Sequence, residues 1–347
     1  MKKWIVVAIG TLILIFVVLI VLGNYLLKKD DPNFIANLIQ TQPDKISIIM
    51  SENDKIILKA NEDQVMPLAS VFKIMIAIEL INQYKNGNID LYEKIPLKEI
   101  EKYNQIKDVN SNYTLWKKEV VKNQKNVSLY EIARGMITYS SNPNTDYLIK
   151  RLGLESINKT AKKLTKVHTN IYPIGASVLV PHYLMKVQNI KENELEDTLI
   201  KMSNKEYEKL VLEIDNLLEN KKYPKFDSFY PTEDQQKNWS NRAPKSTASD
   251  YINLFNKLDT LYPEEKYNKL LKDLLKIDQS KSLYIGGKNG ETINVINRTL
   301  KVESGNNEKN IVVFTKDLDY YEQIKVKNNI DSFIKKALKE DYIFNYN

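Results

Sequence analysis

Cysteine is absent from the chain. That excludes disulfides, thiolate metal sites, cysteine nucleophiles and a lipid-bearing N-terminal cysteine. Histidine is nearly absent: His168 and His182 are the only two, they stand 14 residues apart, and no His-x-x-x-His pair exists. A zinc hydrolase is therefore not expected, no other metal site is indicated, and nothing calls for a cofactor. There is no Arg-rich block and no aromatic ribonucleoprotein motif. Despite a formal charge of +7, nucleic acid is not an expected partner, because the lysines are scattered along the chain rather than gathered on one motif. Internal repeats and low-complexity blocks are missing too. One local absence matters later: from Ser156 to Lys191 there is no Asp or Glu.

What is present begins with a long apolar run. "WIVVAIGTLILIFVVLIVLGNYLL", Trp4 to Leu27, carries no charge. At 1.5 Å per residue it can cross a hydrocarbon core of about 30 Å. Lys2 and Lys3 precede it, Lys28 and Lys29 follow it, and no small-residue cleavage site interrupts it. It reads as an uncleaved single-pass anchor. The membrane is then a partner through Trp4–Leu27, and lysines at both ends encode the orientation only weakly. Residues 1–31 are the expected anchor and short polar linker, and 32–347 the expected soluble domain. The positive balance suits an anionic lipid or cell-wall neighbourhood.

Along the soluble part, "KISIIMSENDKIILKANEDQ" from Lys45 predicts two strands about a turn at Glu52-Asn53-Asp54. A helix is expected from Ser70 to Tyr84, closed by "NGN" at Asn86–Asn88. "SLYEIARGMITYSSN" opens on a capping box, Ser128 with Glu131 three residues later. "NTDYLIKRLG", "LESINKTAKKL" and "STASDYINLFNKL" read as further helices, and a charged stretch with helical periodicity occupies about 189–240. "SLYIGGKNGE", "RTLKVES" and "KNIVVFTK" are strand-like, and a last helix is expected over Tyr321–Glu340. Strands at both ends and helices between give the expected fold class. It is α/β of the α+β kind, an antiparallel sheet built from both chain ends with an inserted all-helical subdomain and one N-terminal transmembrane helix.

A lysine then stands out. In "PLASVFKIMIAIEL" the helix is apolar on every face except at Lys73. A helix apolar all round is buried, and an ammonium there must be paired or lose its proton. A buried lysine with a lowered pKa is a good general base. Ser70 lies one turn earlier on the same face, and a serine hydroxyl needs such a base to become a nucleophile. Ser-x-x-Lys also occurs at Ser156/Lys159 and Ser332/Lys335. In those the lysine lies in a mixed segment, as chance in a lysine-rich chain produces. By itself the first pair fits a nucleophile and its base, or equally a snorkelling lysine.

The company of Ser70 and Lys73 resolves that choice. Ser140-Ser141-Asn142 follows a helix, and Lys288-Asn289-Gly290 lies on a strand. In that order the motifs resemble the Ser-x-x-Lys, Ser-Asp-Asn and Lys-Thr-Gly signatures of the class A β-lactamases and penicillin-binding proteins. The likeness extends over most of residues 45–345, apart from the charged stretch. It implies a transpeptidase-like fold in which Ser70 is acylated, Lys73 is its base and Ser140 relays a proton to the leaving group. Asn142 would hold the substrate amide, and Lys288 the substrate carboxylate. Asn289 and Gly290 would form the strand edge beside it, and the backbone N–H groups of Ser70 and Glu291 the oxyanion hole. Envelope substrates imply a domain outside the cell membrane.

Departures from the family pattern shape the functional expectation. Ser141 stands where the family has Asp, Asn289 where it has Thr or Ser, and Glu291 where it has a small residue. The class A enzymes also need a deacylating glutamate some three dozen residues past the Ser-x-Asn motif, in the acid-free segment here. The expected function is a membrane-anchored penicillin-recognising serine hydrolase that acts on a cell-wall peptide or related amide or ester and deacylates β-lactams slowly. The alternatives are a true β-lactamase whose base comes from elsewhere, such as Glu192 or Glu194, and a catalytically silent wall-binding module.

Overall fold

The computed structural model describes residues 29–104, 112–224, 229–277 and 283–338, with positions 14–19, 22, 23, 25 and 27. Of the expected span Trp4–Leu27, residues 14–19 are helical with exposed apolar side chains. Most of the rest, with Lys2, Lys3 and Lys28, lies outside the described residues. Among the described residues no helix is long and apolar enough to cross a membrane.

The chain passes through α1 (Phe34–Thr41), β1 (Ile46–Glu52) and β2 (Lys55–Ala60), then leaves the sheet. It builds α2 (Lys73–Lys85), α3 (Leu129–Thr138), α4 (Asn142–Leu152), α5 (Leu154–Leu164), α6 (Ile174–Val178) and α7 (Val180–Lys186). The charged stretch follows as α8 (Glu192–Lys201), α9 (Asn204–Glu219) and α10 (Glu233–Asn241), then come α11 (Ala248–Asn256) and α12 (Glu265–Leu275). The chain returns as β3 (Tyr284–Gly287), β4 (Gly290–Thr292), β5 (Val295–Ser304) and β6 (Asn307–Thr315), and closes on α13 (Tyr320–Leu338). The strands form one antiparallel sheet in the order β2-β1-β6-β5-β3, with β4 also on β5. The expected sheet from both chain ends, with helices inserted, is observed, but the insertion is not all-helical: Lys94–Pro96 pairs with Asn126–Ser128, and Met66–Pro67 with Lys245–Ser246.

Side-chain alternation explains why the sheet is central. Ile46, Ile48 and Met50 of β1, with Ile311 and Val313 of β6, face α1 and α13 and pack on Ile35, Leu38, Val326 and Ile330. Ile49, Val312 and Phe314 point the other way into the helical core around α2. Both faces are therefore buried, and the strands carry apolar side chains on both. The β1–β2 turn places Asn53 and Asp54 at φ 47° and 64°, a conformation that Asn and Asp tolerate better than most residues. Ser128 caps α3 through a complete capping box with Glu131.

The polar linker before α1 touches the last helix: Asp31 N–H donates to Asn329 Oδ1 at 2.6 Å, and Lys325 Nζ donates to the Lys29 carbonyl at 2.9 Å. It is fastened to α13. The expected single strand through "IGGKNG" is broken at Lys288–Asn289 into β3 and β4. The register holds across the break, since Gly287 opposes Leu300 and Gly290 opposes Asn297. Gly287 sits at φ 150°, and a Cβ there would meet the Thr299 carbonyl oxygen at 1.9 Å, so only glycine fits where the two backbones approach. The charged stretch has a core of its own, in which Leu195, Leu199, Tyr207, Leu210 and Val211 pack on Leu179 and Val180.

Candidate active site

Ser70 belongs to a tight 3-10 turn, Ala69–Phe72, that runs directly into α2. The turn is held from behind. Leu68 N–H donates to the Pro244 carbonyl at 2.8 Å, and Asn297 Nδ2 donates to the Pro67 carbonyl at 2.8 Å. Ala69 is forced to φ 45°, a conformation that side-chain-bearing residues occupy at a cost and that clusters at functional sites. Ser140, after α3, has φ 56°. Both turns present their serines to one cavity of about 610 Å³, which Lys288, Asn289 and Glu291 also line.

Lys73 is fully buried. Its Nζ donates to the Ser140 carbonyl at 2.7 Å, to Asn142 Oδ1 at 3.0 Å and to Ser140 Oγ at 3.2 Å. Burial pushes its pKa well below the usual lysine value, and the charge of Lys288 adds to that push, while Asp146 opposes it. The lysine is thus tied to the turn that carries Ser140 and held towards its neutral form. Ser70 shares the cavity with Ser140 and Asn142 rather than standing among the hydrogen-bond partners of Lys73. The other two Ser-x-x-Lys pairs lie on α5 and α13, where Lys159 and Ser332 are exposed.

Ser141 explains the first departure from the family pattern. It is the N-cap of α4: its hydroxyl donates to Asn144 Oδ1 at 2.8 Å and accepts from Asn144 N–H. Serine and aspartate cap helices about equally well, so the local fold survives the exchange.

The opposite wall is β4. A Cβ on Gly290 would meet the Leu68 carbonyl oxygen at 2.6 Å and Ser70 N at 2.9 Å. The missing side chain lets this strand come against the backbone of the nucleophile turn. The next residue, Glu291, lines the same cavity as Ser70. Lys288 is buried, and its Nζ donates to the Asn289 carbonyl at 2.9 Å. Burial lowers its pKa to about 7, against the pull of Glu291, with Arg298 adding to the lowering. Asn289 Oδ1 is buried with no hydrogen-bond partner among the described residues.

Three acids line the cleft and its extension among the described residues, and each is engaged. Glu291 pairs with Arg298 at 3.1 Å and Lys327 at 2.9 Å. Burial alone would raise its pKa, but those two cations outweigh it and hold it low. Asp331 accepts from Arg298 Nε at 3.3 Å. Asp146 accepts from the N–H groups of Ile174 and Gly175 at 2.7 Å each. Burial raises Asp146 to about 7 against those two bonds. Glu192 and Glu194, the bases considered from sequence, are exposed on α8 and line neither cavity. Packing α8 by Leu195 and Leu199 turns its acids outward, so that suggestion is set aside.

Arg298 and Asp146 escaped the sequence reading. Arg298 is buried opposite Asn289 and adds a second cation beside Lys288. Its signal was register: it lies as many residues before Leu300 as Asn289 lies after Gly287. Asp146 lies one helical turn after Asn142, and so on the same face of α4.

The sequence model described as the β-lactamase enzyme family matches residues 32–329. No curated protein matches the chain. Solved structures share its fold at low identity. A class A β-lactamase from Bacteroides cellulosilyticus is 16% identical, with TM-score 0.55 over 89% of this chain and 98% of that one. A β-lactamase from Sphaerobacter thermophilus is 13% identical, with TM-score 0.51 over 89% and 98%. The TLA-1 extended-spectrum β-lactamase is 13% identical, with TM-score 0.55 over 89% and 99%.

Proposed function

The chain belongs to the β-lactamase enzyme family, and from that membership we propose a membrane-anchored, penicillin-recognising hydrolase of the cell envelope that is acylated at Ser70 and releases its acyl group slowly. As a member it is a serine hydrolase acting on amide bonds.

In the proposed reaction Ser70 Oγ attacks the carbonyl carbon, and its proton passes to the neutral amine of Lys73. The N–H groups of Ser70 and Glu291 hold the oxyanion, and Asn142 holds the substrate amide. The C–N bond breaks as Ser140 Oγ hands a proton to the leaving nitrogen and recovers one from Lys73. Lys288, with Arg298 beside it, faces the substrate carboxylate.

The carrying observation is the state of the acids. Asp146, Glu291 and Asp331 are each bound to backbone N–H groups or cations, so none offers the cleft an uncommitted carboxylate to activate water. Losing a general base costs roughly 100- to 10,000-fold. That is about 3 to 5 kcal/mol on the deacylation barrier, and acylation through Lys73 is spared. A cell-wall peptide, or a related amide or ester, is the natural substrate class on this reading, and a second acceptor could take the acyl group from Ser70. On this reading Trp4–Leu27 anchors the chain, and the domain faces the wall outside the cell membrane. The second reading, a true class A β-lactamase, is supported by the structural neighbours, which are themselves β-lactamases.

Incubation with a fluorescent penicillin, followed over time by mass spectrometry, separates the readings. An adduct on Ser70 that lasts is expected, with a burst equal to the enzyme present. Sustained turnover above roughly one per second establishes the second reading. No adduct on any serine means that the fold serves as a silent wall-binding module.

A further inference from the structure

Four charged side chains on the β4–α13 side of the cleft are linked to one another. Lys327 Nζ donates to Glu291 Oε2 at 2.9 Å, Arg298 Nη1 donates to Glu291 Oε1 at 3.1 Å, and Arg298 Nε donates to Asp331 Oδ1 at 3.3 Å. All four line the catalytic cavity. The two carboxylates offset the two cations. Arg298 lies deepest: its side chain is 4% exposed, against 37% for Glu291 and 63% for Lys327. Its Nη1 also donates to the Asn297 carbonyl at 3.1 Å. Among the described residues that line the cavity, Lys276 and Lys288 are the cations outside this linked set.

The strand register builds the Glu291–Arg298 pair. Glu291 of β4 opposes Ile296 of β5, so Arg298 is its diagonal neighbour two positions on, within reach of long side chains. Glu291 therefore gives Arg298 and Lys327 what a substrate carboxylate would give them, two oxygens with one cation on each. An entering carboxylate meets Glu291 as a like charge. To reach the guanidinium it must displace a charge-assisted hydrogen bond. An uncharged group meets neither cost, and Lys288 is left as the cation that faces a substrate carboxylate.

The next step rests on the proposed acylation of Ser70. We propose that Glu291 is a built-in carboxylate that occupies the Arg298–Lys327 cation pair, so that the enzyme favours a leaving group without a free carboxylate, an amide within a chain or a blocked end, over a bond beside a free C-terminus. Specificity of this kind comes from a repulsive element placed against the wrong substrate.

The test compares two penams that differ only at the ring carboxylate, free in one and a methyl ester in the other. The readout is the ratio, acid over ester, of the second-order rate constants for acylation of Ser70 in the full chain. Both substrates share the oxyanion hole, so the ratio cancels any change there. The measurement is made at about pH 8, above the Lys288 pKa of about 7, where the charge of Lys288 is largely lost. In the parent the ratio is expected to be about one or below. Glu291→Gln keeps the backbone N–H and removes the charge, and is expected to raise the ratio about fivefold or more. That rise is expected to persist in about 1 M salt, which screens distant charges but much less a direct, partly buried contact. A parent ratio of about ten or more, an unchanged ratio in Glu291→Gln, or a rise that vanishes in salt overturns the built-in carboxylate, while acylation by either penam leaves the Ser70 reading standing. Acylation by neither overturns the Ser70 reading, and this one with it.

Discussion

Replacing Gly290 by alanine sets β4 against the nucleophile turn. The new Cβ would stand 2.6 Å from the Leu68 carbonyl oxygen, 2.9 Å from Ser70 N and 3.0 Å from Ala69 Cβ. Two of those atoms are backbone, and neither side yields easily. The turn is tied to Pro244 and Asn297, and β4 is paired to β5. Restoring ordinary contact requires the strand to retreat by about 0.5–0.8 Å. The strand carries the Glu291 N–H with it, the donor proposed above as half of the oxyanion hole. A shift of this size at the reacting centre, or loss of one donor, costs roughly 100- to 1,000-fold. The expected result is therefore about 3–4 kcal/mol on the acylation barrier. Overpacking costs only about 1–3 kcal/mol of stability, so the variant stays folded. Stopped-flow acylation by a fluorescent penicillin gives the first quantity and thermal denaturation the second. Acylation within about threefold of the parent, in a folded variant, would refute the close approach and with it the Glu291 half of the hole.

Lys73→Met is expected to keep the fold, because methionine fills an apolar helix well, and to lose acylation by at least about 100-fold; a folded variant acylated at the parent rate makes Lys73 structural. The pH profile reports Lys288, which is cationic below its depressed pKa of about 7 and neutral above it. Acylation by a carboxylate-bearing penam should therefore fall as pH rises through that value, and the methyl ester of the same penam should show no such limb. A fall shared equally by acid and ester removes Lys288 from carboxylate binding. Protease added to intact protoplasts should degrade the domain, and protection until lysis would reverse the proposed orientation of Trp4–Leu27.

How much was legible beforehand follows from the range of each interaction. The β1–β2 hairpin and the Ser128–Glu131 capping box are set by neighbours in sequence, and both stand where expected; the "STASDYINLFNKL" helix forms as well, with Thr247 as its cap. Lys73 was legible because a lone charge in an apolar helix is costly wherever the rest of the chain goes. Arg298 and Asp146 were not, because their meaning depends on cross-strand register and on Ile174 and Gly175 arriving at one carboxylate. The charged stretch misled in another way. Its helices expose most of their polar residues, which reads as a solvated elaboration, yet Leu199, Tyr207 and Tyr230 of that stretch wall a chamber beside the catalytic cleft. Tertiary placement of a few apolar residues decided its character, and periodicity alone does not report which neighbour an apolar face will find.

The fastening of residues 29–31 to α13 has a mechanical consequence. Lys325 and Asn329 hold the incoming chain, and Lys327 and Asp331 on the same helix line the catalytic cleft. Adjacent positions of that helix are about 3 Å apart along its axis, at two residues' spacing. The helix therefore joins the entering segment and one wall of the cleft in a single lever: a pull on residues 29–31 is felt at Lys327 and Asp331, and a shift of that wall is felt at the segment.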